Sequence, residues 1–462
     1  MNNTISERFA ALGITVPELL LPRHGIDLCK WAVIACDQHT QDHSYWEQAS
    51  TIAEGSPSTL NLIYPEIYLE ESNKEERIAA IHRTMKEYLT TDVFTPPQKT
   101  LVYIERDTPI NQLRRGLIIA LDLEAYDWKT NLDPSLIRSQ LIRPTEGTVP
   151  ERLPSRMEIR RSAPLETPHI LVLIDDEENT LLPSLGEQAK TQTDKNIQTN
   201  ALYDTKLMLG SGRVRGWKLD KADEWEFFAG GLERLAKNAM EKFGDPFLFA
   251  VGDGNHSLAA AKGIWEEHKA AHQNDSDIMN HPARWALVEL VNLYDPALHF
   301  EPIHRLLFGT DIATVQQTFA HLPGYRCRKL SDSTELAVLV KDGQCGLLRV
   351  GLIARDDFFL IEADQVPIAV DVLQPLLDKM IEEQKGKVSM DYIHGSEELF
   401  RLAGKRNSGE SKDNAVGILL RPFRKQGLFE TIAKRGPLPR KSFSMGDAEE
   451  KRFYLECRKL FI

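Results

Sequence analysis

The sequence predicts a mixed α/β (α+β) protein built from more than one domain, and three observations lead there. The chain has 462 residues, more than one hydrophobic core usually serves. Apolar runs of strand length alternate with segments whose apolar residues recur at helical spacing. One of those runs breaks at a glycine turn and re-enters an alanine-rich stretch, FAVGDGNHSLAAAK at 249–262, which reads as strand, turn and helix.

Taken in order, TLVYIERD (100–107) and RRGLIIALDLEAYD (114–127) read as strands on either side of the polar stretch TPINQL. HILVLIDDEENTLL (169–182) reads as a strand closed by an acidic turn, and TDKNIQTN (193–200) as a polar connection. LMLGSGRVRGW (207–217) fits a hairpin turn better than a phosphate loop, despite its glycines. WEFFAGGLERLAKNAMEKFG has apolar residues at helical spacing and stops at Gly244. The strand PFLFAV, the glycine turn and a second helix follow, then the apolar ARWALVELVNLY and an ordered segment opened by FEPIHRLLF. The remainder alternates strands (CGLLRVGLIA, DDFFLIEA, AVGILLRPF) with helices (AVDVLQPLLDKMIEEQ and KRFYLECRKLF). This pattern predicts one or more α/β domains over 1–310 that carry the site, and a smaller α+β domain over 311–462 with a basic terminal segment.

Composition narrows the function classes. Hydrophobic residues make up 42% and charged residues 27%, as in an ordinary globular protein. The formal charge of -12 argues against a nucleic-acid partner, whose backbone calls for an excess of Lys and Arg. No basic start leads into an apolar core as in a secretion leader, and no apolar run approaches the roughly 18 residues that span a bilayer. A cytoplasmic protein without a membrane partner is therefore expected, and a homo-oligomer stays open. The five cysteines are scattered, without a CxxC pair, and read as reduced thiols.

The glycine turn is the main chemical candidate. A helix entered through a turn has first-turn amides without internal partners, at the positive end of its dipole, and so makes an anion site. Gly252 and Gly254 allow a sharp turn or close approach to a ligand. Asn255 and Ser257 can donate to phosphate oxygens, His256 can donate or transfer a proton, and Asp253 can hold a cation or accept a hydroxyl proton. In the helix, Leu258, Ala261 and Trp265 share one face that can pack inward. The alternative is that Asp253 or Asn255 merely caps the helix and His256 is an incidental surface residue. No Walker lysine follows the turn, and it is not a GxGxxG.

Other stretches carry weaker signals. LIRPTEGTVPERLPSRMEIRR (141–161) sets Glu146 among turn residues ahead of several arginines, which suits a general base beside a phosphorylated substrate or simply a solvated loop. IACDQHTQDH (34–43) places Asp37, His39 and His43 after a strand, as a metal cluster or as surface hydrogen-bonding groups. EPIHRLL offers His304 and Arg305, or simply a packed histidine and a surface arginine, and LPRKSFSMG offers Lys441 and Ser442 to an anion or is simply a basic tail.

In this order the blocks VGDGNHS, IACDQH, RPTEGTVPERLPSRMEIRR, LVNLYDPALHFEPIHRLL, VDVLQPLL and GPLPRKSFSMG resemble a large prokaryotic family catalogued as a domain of unknown function. Its hallmark is an apolar strand followed by D-G-H-H-R. The signature is also similar to that of the ParB/sulfiredoxin-like nucleotide-binding fold, which includes kinases of free L-serine. The resemblance implies such a core around the strand-GDGNHS-helix unit. It implies catalytic roles for Glu146, Asp253 and His256, and cofactor contacts from Gly252, Gly254, Asn255, Ser257, Arg156, Arg161, His304 and Arg305. It further implies a metal at Asp37 and Asp253, with ATP or ADP and Mg2+ as cofactors. Two positions depart from the signature: Asn255 stands for His and Ser257 for Arg, so a fixed guanidinium is missing. The resulting expectation is a phosphotransferase between a nucleotide and a small hydroxyl-bearing metabolite such as L-serine. A phosphatase acting on a small phosphoester such as phosphoserine, and a non-catalytic nucleotide- or metabolite-binding regulator, remain as alternatives.

Overall fold

The most apolar runs of the chain become the inner strands of one sheet, because residues buried on both faces leave no room for polar alternation. The computed structural model describes residues 4–461 except 70, 110–112, 130–139, 192–200, 343–345, 367, 405–414 and 423. The polar connection at 193–200 and the middle of TPINQL lie outside the described residues. Contacts divide the chain into two compact units: Met1–Leu298 with Ile432–Pro437 and Gly446–Ile462, and His299–Thr431 with Leu438–Met445. The sequence expectation draws its line at 310 and leaves the terminal segment with the second domain. Contacts draw it at 298, keep Leu438–Met445 with the second unit, and assign Ile432–Pro437 and Gly446–Ile462 to the first.

The first unit is built on a nine-stranded mixed sheet. Its principal strands are β1 (Leu101–Asp107), β2 (Arg114–Asp122), β3 (Ile142–Pro144), β4 (Leu171–Ile174), β5 (Ala201–Lys206), β6 (Arg213–Leu219), β7 (Phe249–Asp253) and β8 (Trp285–Asn292). Their spatial order is β5-β6-β1-β2-β8-β4-β7-β3, with Ile14–Thr15 added beside β2. At one edge β3 and β7 run parallel, so the loops that leave both strands emerge at the same end. The neighbouring β4 runs antiparallel to β7, and its first residue, Leu171, lies opposite Asp253.

The principal helices of this unit are α1 (His43–Ala53), α2 (Lys74–Thr90), α3 (Leu153–Arg160), α4 (Leu181–Thr191), α5 (Ala222–Phe243) and α6 (Asn255–Ala271). Alternate residues of β1 show the layering, as strand geometry requires. Leu101 and Tyr103 pack with Leu185 of α4, Phe228 of α5 and Trp265 of α6. Val102 and Ile104 pack on the opposite face with Trp31, Trp46 and Tyr88, and with Phe453, Tyr454 and Leu455 from the end of the chain. The strand read at 169–182 is shorter than expected. Asp176 Oδ2 accepts from the amides of Thr180 and Leu181, each at 2.8 Å, and so caps α4. The hairpin expected at 207–217 joins β5 to β6.

One expected helix is absent. KRFYLECRKLF is an extended strap in which Phe453–Tyr454 pairs with Val33–Ile34, and Arg458–Lys459 pairs with Leu165–Glu166. Phe453, Tyr454, Leu455 and Cys457 are all buried, as in an extended segment covered on both faces. The charged residues between them find buried partners that a lone helix could not offer. Arg452 reaches Glu289 at 2.6 Å and also Glu456, while Arg458 Nε donates to Glu166 at 2.9 Å. Gly116 of β2 leaves the space that the Glu289 carboxylate fills, since a Cβ there would collide with it.

The second unit holds an antiparallel sheet of β9 (Phe300–Phe308), β10 (Arg326–Leu330), β11 (Leu347–Ala354), β12 (Asp357–Asp364), β13 (Ser389–His394) and β14 (Ala415–Leu420), in the order β10-β12-β11-β14-β9-β13. Phe443–Met445 extends it beside β9. Its principal helices are α7 (Ser333–Lys341), α8 (Ala369–Glu383) and α9 (Ser396–Ala403). Leu336 and Val340 of α7 and Leu399 and Ala403 of α9 form a core with Leu306, Ile353 and Leu360 of the sheet.

Candidate functional site

Strand β7 ends at Asp253, and α6 starts at Asn255 through Gly254, whose φ of 79° is left-handed. A Cβ at Gly254 would also stand 3.0 Å from Ile170 Cγ1 and 3.2 Å from its Cα, so both conformation and space call for glycine. Leu258, Ala261 and Trp265 are buried in the core and hold α6 against the sheet. That packing fixes the direction in which the first turn of the helix points.

The loop leaving β3 is fastened to this turn. Thr145 gives its amide (3.3 Å) and its hydroxyl (2.7 Å) to the carbonyl of Val251. The Val149 amide donates to His256 Nε2 at 3.2 Å, so that nitrogen is an acceptor and the ring proton of the neutral form sits on Nδ1. Asn255 Nδ2 points at Thr145 Oγ1, 3.5 Å away. Because the Thr145 hydroxyl already donates to Val251, a flipped Asn255 amide would face an oxygen with no proton left to give. Asn255 Oδ1 is therefore the atom turned away from Thr145, and it is buried without a hydrogen-bond partner among the described residues, as is Thr148 Oγ1. Buried polar atoms of this kind normally find partners. Glu146 lies between Thr145 and Thr148 in the same loop and is half-buried.

A second set of side chains converges on the turn. Asp253 Oδ1 accepts from the Gly254 amide at 3.1 Å, and its Oδ2 accepts from Lys451 at 3.0 Å. Ser257 shares a hydrogen bond of 2.9 Å with His169 Nε2, and His169 Nδ1 one of 2.9 Å with the hydroxyl of Tyr454. The Cys36 amide donates to that same hydroxyl at 3.1 Å. For Asp37, burial works against the charge, but His169, the Gln38 amide and Lys451 outweigh it and hold the carboxyl below the usual carboxylate range. Glu66 goes the other way: burial pushes its carboxyl up against the pull of its ion-pair partner Arg156, and Asp37 adds to the rise.

The residues expected from the sequence therefore fall into groups. Asp253, Gly254, Asn255, His256, Ser257 and the Glu146 loop meet at the end of β3 and β7, and Gly252 lies at an irregularity in the β4–β7 pairing, between Val251 and Asp253. Asp37 and Arg156 join them electrostatically through His169, Lys451 and Glu66. Arg161 does not: it forms an exposed pair with Glu267 at 2.9 Å, twelve residues into α6 and so roughly 18 Å along its axis. His304 and Arg305 lie in mid-strand in β9 of the second unit and are buried. His304 Nδ1 accepts from the Leu420 amide at 3.2 Å, and Arg305 reaches Gln374 of α8 at 3.1 and 3.0 Å. Their placement is that of sheet residues, because a mid-strand side chain points into the layer beneath it. Ser442, offered to an anion by sequence, is buried in the same unit and donates to the Pro439 carbonyl at 2.6 Å.

His169, Lys451 and Tyr454 were missed by sequence reasoning. The reading of KRFYLECRKLF as a helix hid the last two. Among the described residues no group of three or more His, Cys, Asp or Glu side chains could hold a metal ion, so Asp37, His39 and His43 do not build a metal cluster. Nor is any described helix long and apolar enough to cross a membrane.

Solved structures offer distant likenesses. A free serine kinase mutant in complex with AMP aligns at a TM-score of 0.39 and 10% identity, covering 77% of this chain and 95% of that one. A free serine kinase in complex with AMP gives 0.38 and 11% over the same shares. A conserved hypothetical protein from Pyrococcus furiosus gives 0.32 and 11%, over 68% of this chain and 88% of that one. No curated protein matches the sequence. Residues 20–374 match the family described as protein of unknown function (DUF1015), and the chain belongs to that family.

Proposed function

We propose that the protein is a phosphotransferase that moves a phosphoryl group between a nucleotide, ATP or ADP, and a small hydroxyl-bearing metabolite such as L-serine. One observation carries this reading. The Gly254 turn presents the start of α6 beside a loop pinned to it, and two polar atoms there, Asn255 Oδ1 and Thr148 Oγ1, are buried without partners among the described residues. Helix-start amides suit phosphate oxygens, and an orphaned amide oxygen suits a donor such as a substrate hydroxyl or ammonium group. Phosphoryl transfer asks mainly for positioning and charge stabilisation. In this reading the amides of Asn255 to Ser257 cradle phosphate, Arg156 balances charge, and Glu146 or Asp253 accepts the proton of the attacking hydroxyl.

The donor set suits Mg2+ only in part. With no group of three ligands among the described residues, Asp37 and Asp253 would hold an ion that keeps water and nucleotide oxygens as its other ligands, as Mg2+ commonly does. The ion would supply neutralisation of phosphate charge. The test is a calorimetric titration with ATP and ADP in millimolar Mg2+, followed by a search for phosphoserine after incubation with L-serine. Binding together with transfer supports the reading. Absence of nucleotide binding at millimolar concentration ends it.

A further inference from the structure

The residues of the turn itself, 252–257, are Gly, Asp, Gly, Asn, His and Ser, and none is a permanent cation. A cation arrives from the far end of the chain. Lys451 is 7% exposed, and its ammonium lies 3.0 Å from Asp253 Oδ2, the carboxylate whose other oxygen takes the Gly254 amide. An ammonium has three N–H groups. Among the described residues that bond to Asp253 is the one this ammonium makes, so a nine-tenths buried cation has donors to spare at the turn.

The strap around Lys451 is fixed on both sides. The Glu450 carbonyl takes Arg114 Nη1 at 2.6 Å, and the Arg452 carbonyl takes the Ala35 amide at 2.9 Å. The Arg452 side chain is locked to Glu289 and Glu456 inside the unit. Three residues further on, Tyr454 holds His169, which in turn holds Ser257 of the first turn of α6. One segment thus sets a cation and the orientation of a helix-start hydroxyl, and it lies beyond the stretch 20–374 that matches the family.

We propose that Lys451, carried in by this strap, is the phosphate-binding cation of the turn, with Asp253 holding the ammonium in place until the anion arrives. The proposal rests on the phosphate reading of the site. It is tested on the full chain in metal-free buffer by calorimetric titration with inorganic phosphate and with ATP. Lys451→Met should weaken both at least ~10-fold, the size of a lost charge-assisted hydrogen bond. Asp253→Asn keeps an oxygen for the Gly254 amide but removes the competing carboxylate, so it should tighten inorganic phosphate by ~3-fold or more, because a negative charge beside the anion is gone.

Lys451→Met that binds both probes as wild type does overturns the proposal. So does Asp253→Asn that weakens phosphate binding, since the pair would then be a strut. If Lys451→Met does not fold, the Asp253→Asn result decides. A wild-type protein that binds neither probe removes the phosphate reading itself, a result distinct from wild-type binding that Lys451→Met leaves unchanged.

Discussion

His256 and His304 are both candidate site residues by sequence, yet their surroundings differ in kind. His304 and Arg305 lie in mid-strand in β9, and the bonds of the ring and the guanidinium go to Leu420, Gln374 and the Ile303 carbonyl within their own unit. Burial and the neighbouring charges of Arg305 and His394 push the His304 imidazole down to about 4. His256 lies where two parallel strands end, beside Asn255 and Thr148 atoms that have no partner among the described residues. A strand interior must satisfy its polar groups with protein, because nothing else reaches it. Strand ends in an open sheet can leave that work to a ligand.

Four changes would break or sharpen that contrast. The largest effect is expected for Gly254→Val. A β-branched residue at φ 79° with its Cβ against Ile170 should cost roughly 3 kcal/mol or more in unfolding free energy and abolish nucleotide binding. Urea unfolding and calorimetry measure both. Arg305→Met should come next, losing about 2 kcal/mol of stability as the Gln374 amide oxygen loses its buried partner, with ATP affinity unchanged. Lost affinity in a folded Arg305→Met protein would return this residue to the cofactor site that the sequence suggests.

His256→Ala should do the reverse. It frees the Val149 amide and removes an imidazole from the turn, lowering ATP or phosphate affinity by ~10-fold, about 1.4 kcal/mol, while the melting temperature moves only a few degrees. Full binding in a destabilised His256→Ala protein would show that the ring is only a loop tether.

The smallest effect is a pH dependence in the second unit. The unfolded chain protonates His304 near 6.5 and the folded unit only near 4. The folded state thus favours the neutral ring: its contribution is fully present above 6.5 and is lost as pH falls through that window. Between pH 7 and pH 6 the loss should be about 0.7 kcal/mol, read as the shift of the urea midpoint. His304→Asn should flatten it.

Much was legible in the sequence because it is local. The apolar runs of β1, β2, β7 and β8, the stop at Gly244 and the inward face of Leu258, Ala261 and Trp265 follow from side-chain period and backbone freedom, which one short stretch encodes. The gathering of Asp253, Asn255, His256 and Ser257 at one turn is likewise a property of six consecutive residues. Tertiary structure alone decided what comes to meet them. Lys451 and Tyr454 reach the turn because Arg452 and Arg458 find Glu289 and Glu166 more than a hundred residues away, and those partners draw an apparent helix out into a strap. His304 and Arg305 became core residues for the same reason. Whether a polar side chain binds a ligand or supports a sheet depends on which distant groups fill its hydrogen bonds, and spacing along the chain does not carry that information.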